Sequence, residues 1–338
     1  KSWAFMLKDS YIDYIREIRR YSPRTQDIYE SVIDGFLAFA CPDGIADEAV
    51  VHALTPTMIR NYEVHLMDEL GEDPRSVNLH LSVLSGFCRF LIRKDVMKSN
   101  PVRLVTRPKT SKRIPVFYRD ESMEEYFSKT EYYAGKDALE VLKGFGKTAA
   151  TDKVAIGLYK ERLKRLIISL LGNTGMRRSE LLGLSIGSAD LSRKVLKVLG
   201  KGDKMREIPL IDSLCEEIFL YLQSVDTMVG CQRSADEPLL VTEKGKKLYP
   251  MYVDRVIKGE LGGIKSITGR KSPHVLRHTL ATELLNDGTD LYSIKELLGH
   301  SSLAATQVYT HNSIEKLKNV YNNAHPRAKS GGNYGDPD

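Results

Sequence analysis

Apolar side chains recur at helical spacing through most of this chain, and strand-like patterning is confined to one short stretch. Phe5, Tyr11, Ile12, Ile15 and Ile18 stand among charges over residues 5–20, which predicts a helix. Ser22-Pro23 then reads as an N-cap with proline at the first helical position, ahead of a stripe of Ile28, Val32, Ile33, Phe36, Leu37 and Phe39. Thr55-Pro56 repeats that start signal, and its helix stops at Gly71. Asp73-Pro74 opens a fourth helix carrying Val77, Leu81, Leu84, Phe87 and Leu91. Residues 1–100 are thus expected to form a small all-α bundle.

The character changes at Asn100-Pro101 and again at Arg107-Pro108-Lys109-Thr110-Ser111-Lys112-Arg113-Ile114-Pro115, read together as a basic linker punctuated by proline. Beyond it, residues 119–172 are expected to be mostly helical, interrupted at Gly135, Gly144 and Gly146. An apolar helix over 154–172 should be core and end at Gly172. Val195–Leu199 and Met205–Pro209 read as two short strands around the turn Lys201-Gly202-Asp203-Lys204. Helices are expected at 212–226, 249–261, 273–287, 289–298 and 303–323, and the tail from Ala328 has linker composition. The domain reading is 1–107, a linker at 108–115, a second domain at 116–323 and a tail at 324–338. The fold class is mostly α, with a small antiparallel β-sheet in the C-terminal domain.

Composition adds limits rather than a function. At 338 residues the chain is too long for one ordinary core. No apolar run is long enough to span a bilayer, and no secretory signal opens the sequence. Cys41, Cys88, Cys215 and Cys231 are scattered without a C-x-x-C pair, as expected of reduced thiols in a cytoplasmic protein. A net charge of +6 permits a polyanionic partner without requiring one. In the N-terminal bundle, Arg16, Arg19, Arg20, Arg24, Arg75, Arg89, Arg93 and Lys94 are the candidates for phosphate contacts.

The chemistry concentrates in Pro273-His274-Val275-Leu276-Arg277-His278-Thr279-Leu280-Ala281-Thr282, followed by Leu298-Gly299-His300-Ser301 and Tyr309. In-line attack on a phosphodiester needs fixed donors for the non-bridging oxygens, an aligned nucleophile and a proton for the departing oxygen. Arg177 and Arg277 can supply the clamp, His274 and His300 further donors or proton transfer, Lys201 the acid and Tyr309 the nucleophile. A phenol with a pKa of about 10 needs a base and cationic surroundings, and His274 is the candidate base. Each residue alone also has a bland reading. Lys201 suits a solvated turn, Arg178 competes with Arg177, and His278 fits an orienting or buried position. The order and the intervals together carry the signal.

The set Thr174-Gly175-Met176-Arg177-Arg178-Ser179-Glu180-Leu181, Gly200-Lys201-Gly202, His274-Val275-Leu276-Arg277-His278, Leu298-Gly299-His300-Ser301 and Tyr309-Thr310-His311 closely resembles the tyrosine recombinases, the phage integrase family, and most of all their Xer-type members. Tyr21-Ser22-Pro23-Arg24-Thr25 and His325-Pro326-Arg327-Ala328 extend the match. The resemblance implies a helical, SAM-like core-binding domain and a catalytic domain that close as a C-shaped clamp around double-stranded DNA carrying specific recombination sites. It implies that Arg177 and Arg277 bind the scissile phosphate, Lys201 protonates the leaving 5′-oxygen, and His274 and His300 complete the pocket. Glu180 and His278 would support the site from behind, and Tyr309, nine positions after His300, would form a 3′-phosphotyrosyl bond. It further implies a homotetramer, or a related heterotetramer, in the synaptic complex, with C-terminal segments exchanged between neighbours. No cofactor, ATP or metal is called for, because the phosphotyrosyl link retains the bond energy and the cationic side chains supply the charge.

Two alternatives stand beside this reading: a type IB topoisomerase relaxing DNA, and a DNA-binding regulator without catalysis. The segment between Phe127 and Ile156 is longer than the Xer pattern, as an insertion of surface helices would be. No additional arm-binding domain is expected ahead of residue 1, unlike in the lambda-like integrases. Dimer resolution, integration and inversion are not distinguished by these residues.

Overall fold

A computed structural model describes residues 6–42, 47–110, 117–200 and 204–299. The chain divides into two compact units, Lys1–Arg113 and Ile114–Asp338.

The first unit is helical throughout its described residues. α1 (Met6–Asp13) continues into a wider π-type turn at Tyr14–Ile18. α2 (Pro23–Ala40) follows, then α3 (Asp47–Ala53), α4 (Pro56–Val64) with a second π-type turn at His65–Glu69, and α5 (Pro74–Arg93). Its starts are chemically capped: Ser22 accepts from the N–H of Thr25, Thr55 from Met58, and Asp73 from Arg75 and Ser76. The stripes predicted from spacing meet in one core built on Ile15, Ile33, Phe36, Ile59, Tyr62, Leu81, Leu84 and Phe87. The eight basic residues named above are all exposed. Pro101–Leu104 is a correction to the linker reading. It forms a 3-10 turn capped by Asn100, and Val102 and Val105 are buried in the helical core. Asn100 also donates to Ser85, so these residues belong to the bundle.

The second unit packs helices around α9 (Lys153–Thr174), whose buried residues run from Arg165 to Thr174 without a gap. Ahead of it lie α6 (Asp120–Lys129), α7 (Glu131–Ala134) and α8 (Lys136–Gly144), the last two within the region read as an insertion. Two nearly buried arginines of α9 hold it down. Arg162 donates to the carbonyls of Ala134 and Gly135, at 3.1 and 2.7 Å. Arg165 donates to the carbonyl of Phe127 and bridges to Glu217.

After α9 come the short α10 (Arg178–Leu182) and an antiparallel sheet of β1 (Ala189–Asp190), β2 (Val195–Leu199) and β3 (Met205–Pro209), in the order β1-β2-β3. Val198 pairs with Arg206 and Leu196 with Ile208, and these four residues face inward. α11 (Asp212–Val229), α12 (Pro250–Gly262), α13 (Pro273–Asn286) and α14 (Leu291–Leu298) complete the described fold.

α9 also corrects an expectation. It does not stop at Gly172, which is buried inside the helix, but runs to Thr174 and turns at Gly175 in the left-handed conformation, φ +60°. Thr174 keeps the last turn closed by donating its hydroxyl to the carbonyl of Leu170. The expected helix at 303–323 and the tail lie outside the described residues.

Candidate active site

Four segments of the second unit converge at the end of α9. Gly175 makes the approach possible: a Cβ there would stand 2.5 Å from Leu298 Cδ2 and 3.1 Å from Leu280 Cδ2, and its positive φ is one that side chains rarely adopt. The end of α9 therefore lies directly against α13 and α14. Tyr118 fastens α13 by donating its backbone N–H to Thr279 Oγ1 at 2.9 Å.

Arg177 stands at the entry to α10. Its N–H donates to Glu180 Oε2 at 2.7 Å and its Nη1 to Glu180 Oε1 at 2.8 Å, so one carboxylate fixes both its backbone and its guanidinium. Nη2 reaches the carbonyl of Gly299 at 3.2 Å. Arg178 points elsewhere and pairs with Asp254 on α12, which separates the two competing arginines. Arg277, only 7% exposed, donates from Nη1 to the carbonyl of Gly175 at 2.8 Å and from Nη2 to that of Leu298 at 2.5 Å. Consecutive carbonyls, of Leu298 and Gly299, thus hold two guanidinium groups next to each other. Each guanidinium keeps further N–H donors beyond these bonds.

Arg206 was not anticipated from the sequence. It is buried on β3 and grips Glu180 with two bonds, Nη1 to Oε1 at 2.9 Å and Nη2 to Oε2 at 2.8 Å. A signal existed: in the alternation of Met205, Arg206, Glu207 and Ile208, the arginine occupies an inward position, and a buried cation requires a partner.

The charges perturb one another. Burial alone would raise Glu180, but the hydrogen bonds from Arg206 and Arg177 outweigh it and pull its carboxyl down to about 2. Burial, followed by repulsion from Arg177 and Arg206, pushes Arg277 down to about 10, with Glu180 opposing. At neutral pH Arg277 remains charged, so the cluster keeps positive charge in excess of its carboxylate.

His274 lies on the first turn of α13, exposed to solvent. Loss of hydration, and then the neighbouring Arg277, His278, Arg270 and Arg177, lower its pKa below the usual histidine value. It is therefore neutral at physiological pH and able to accept a proton. His278 is exposed one turn later, which corrects the buried alternative read for it.

Lys201, His300 and Tyr309 lie outside the described residues. The residue before Lys201 is described: a Cβ on Gly200 would lie 3.4 Å from Arg206 Nη1 and 3.8 Å from Glu180 Oε1, so the chain leaves β2 beside the cluster. Its N–H donates to the carbonyl of Lys204 at 2.8 Å, closing the turn at its base.

Similarity to known proteins agrees with this geometry. The description "Phage integrase family" matches residues 153–316. The chain is 32% identical to the tyrosine recombinase XerC of Chlorobaculum parvum, over 95% of this chain and 94% of that protein. It is 35% identical to the tyrosine recombinase XerC of Bacillus pumilus, over 94% of this chain and 95% of that one. Among solved structures, XerH bound to a palindromic difH substrate in a post-cleavage complex aligns with a TM-score of 0.62 at 16% identity, covering 94% of this chain and 82% of that one. A lambda integrase tetramer bound to a Holliday junction aligns at 0.58 and 19% identity, covering 98% and 79%. These relatives favour recombination over the topoisomerase and silent-regulator alternatives. Sequence and fold together place the chain in the phage integrase family of tyrosine recombinases, as an Xer-type site-specific DNA recombinase.

Proposed function

We propose that this enzyme cuts and rejoins DNA through a 3′-phosphotyrosyl intermediate formed on Tyr309. The observation that carries the reading is the pairing of the Arg177 and Arg277 guanidinium groups on the adjacent carbonyls of Gly299 and Leu298, beside the neutral imidazole of His274. Two fixed cations with unused donors suit the non-bridging oxygens of one phosphate, whose negative charge grows as a nucleophile adds.

In this mechanism His274 takes the proton of the Tyr309 phenol as its oxygen attacks phosphorus. The bond from phosphorus to the 5′-oxygen breaks, and Lys201 gives that oxygen a proton. His300 adds a donor to the pocket. A free 5′-hydroxyl from the partner strand then reverses the step, expelling the tyrosine and closing a recombinant phosphodiester. Positive charge from the side chains serves throughout, and bond energy is conserved in the phosphotyrosyl link.

The first unit supplies DNA affinity through its exposed basic residues and the second the chemistry, with domain limits at 1–107 and 116–323. The synaptic complex contains four protomers that exchange C-terminal segments. The solved lambda integrase tetramer on a Holliday junction is the parallel for that assembly. The enzyme works in the cytoplasm at the nucleoid. Among the described residues no helix is long and apolar enough to cross a membrane.

The test is a nicked duplex carrying a site recovered from genomic DNA by trapping the protein. Wild-type chain should form a covalent adduct that resists denaturant. Tyr309→Phe should form none while binding the duplex with nearly unchanged affinity. Strand transfer by the phenylalanine variant would refute the nucleophile assignment.

A further inference from the structure

We infer that Arg206 is a positioning residue for strand cleavage, setting the separation of Arg177 and Arg277 through Glu180 and the Leu298–Gly299 turn. The inference rests on the phosphodiester reading above and adds a residue to it.

Arg206 has two faces in the cluster. Its Nη atoms clasp both oxygens of Glu180, the same carboxylate that holds the N–H and Nη1 of Arg177. The flat side of its guanidinium lies against Gly299. A Cβ at that glycine would stand 3.0 Å from Nη1 and 3.1 Å from both Cζ and Nε. Gly299 in turn offers its carbonyl to Arg177, and Leu298 offers its own to Arg277. One buried side chain therefore braces the carboxylate beneath the first arginine and the turn beneath both. Only a planar guanidinium can do both, because a lysine ammonium neither bridges two oxygens in plane nor packs flat on a glycine.

The brace is held for something other than ordinary packing. Arg206 Nε is buried and has no hydrogen-bond partner among the described residues. A buried ion pair is weak evidence of stabilisation, since an apolar pair of similar volume commonly does as well. Here the pair instead fixes geometry: Glu180 meets Arg177 from its own turn, Arg206 from β3 and the field of Arg277 from α13. Displacing the phosphate clamp by a fraction of an ångström would slow chemistry while leaving the contacts that bind DNA intact.

The experiment compares wild-type, Arg206→Gln and Arg206→Lys proteins on the nicked duplex described above, measuring duplex affinity and single-turnover adduct formation against pH. Arg206→Gln should cleave about ten- to a hundredfold more slowly, with duplex affinity nearly unchanged. Glu180 loses a cation in that variant, so its carboxyl titrates at higher pH, and a further acid limb lying below the one set by His274 moves upward. Arg206→Lys should return the acid limb to low pH and recover only part of the rate. A role confined to stability would lower the melting temperature and leave the pH profile in place, which overturns the inference. So would a rate within about twofold of wild type. If Arg206→Gln does not fold, the slow cleavage of folded Arg206→Lys carries the test alone. Absence of any wild-type adduct would remove the reading beneath the inference, an outcome distinct from equal rates in all three proteins.

Discussion

Arg277 donates to the carbonyl of Leu298 at 2.5 Å, tying the second turn of one helix to the last residue of the next. The bond aims the guanidinium as well as holding it, because the same side chain also reaches Gly175 at 2.8 Å. A lysine at 277 cannot satisfy both carbonyls and still present donors to a phosphate. Arg277→Lys should lower single-turnover cleavage by about 10²- to 10³-fold, the usual cost of losing one fixed transition-state donor. Quenched-flow cleavage of the nicked duplex measures it, with filter binding as the control for affinity.

Gly175 carries a steric prediction. Its φ of +60° and a Cβ position 2.5 Å from Leu298 Cδ2 leave no room for alanine. Gly175→Ala should destabilise the protein by about 1–3 kcal/mol through backbone strain and overpacking. It should also slow cleavage, because α14 must move away from Arg177 and Arg277. Urea unfolding combined with adduct formation separates the two effects.

How much of this could be read from the chain differs by residue. Ser22, Thr55 and Asp73 announce their helices because each cap is a short-range bond between a side chain and the next turn. The end of α9 was misplaced at Gly172 because a glycine in a fully buried helix is governed by packing, and the left-handed turn falls to Gly175. α3 and β1 are too short to show a period. Arg177, Glu180, His274 and Arg277 were legible through their motif intervals, and the structure brings them together. Arg206 was missed because its partner lies 26 positions away on another element. Locally, only the strand alternation with Ile208 marks it as an inward arginine, and two inward positions on a five-residue strand are a short pattern to read.

Glu180 predicts a pH dependence. Its folded value of about 2 lies below the ordinary 4.5, so its contribution to stability is full above pH 4.5 and fades as pH falls through about 2. The shift corresponds to an amount on the order of 3 kcal/mol. Glu180→Gln should be markedly less stable than wild type at pH 7, since it leaves Arg177 and Arg206 without their shared acceptor. The gap should narrow between pH 4.5 and pH 3. Thermal melts of both proteins across that range check it, and a gap independent of pH would contradict the charge account.

Duplex binding should weaken linearly in log K against log salt, as phosphate contacts release counterions. Arg24→Ala, at an exposed position on α2, should reduce the slope by about 1 without altering sequence preference. Fluorescence anisotropy across a salt series gives both values, and an unchanged slope would place Arg24 away from the DNA.

The central claim is that the cationic cluster serves a phosphorus attacked by the phenol of residue 309. Tandem mass spectrometry of the peptide left on DNA after proteolysis of the trapped complex tests it most directly. The account predicts a single 3′-linked nucleotide on Tyr309, absent when Arg177 or Arg277 is replaced by alanine. A nucleotide on any other residue, or full labelling of Tyr309 in both alanine variants, would contradict it.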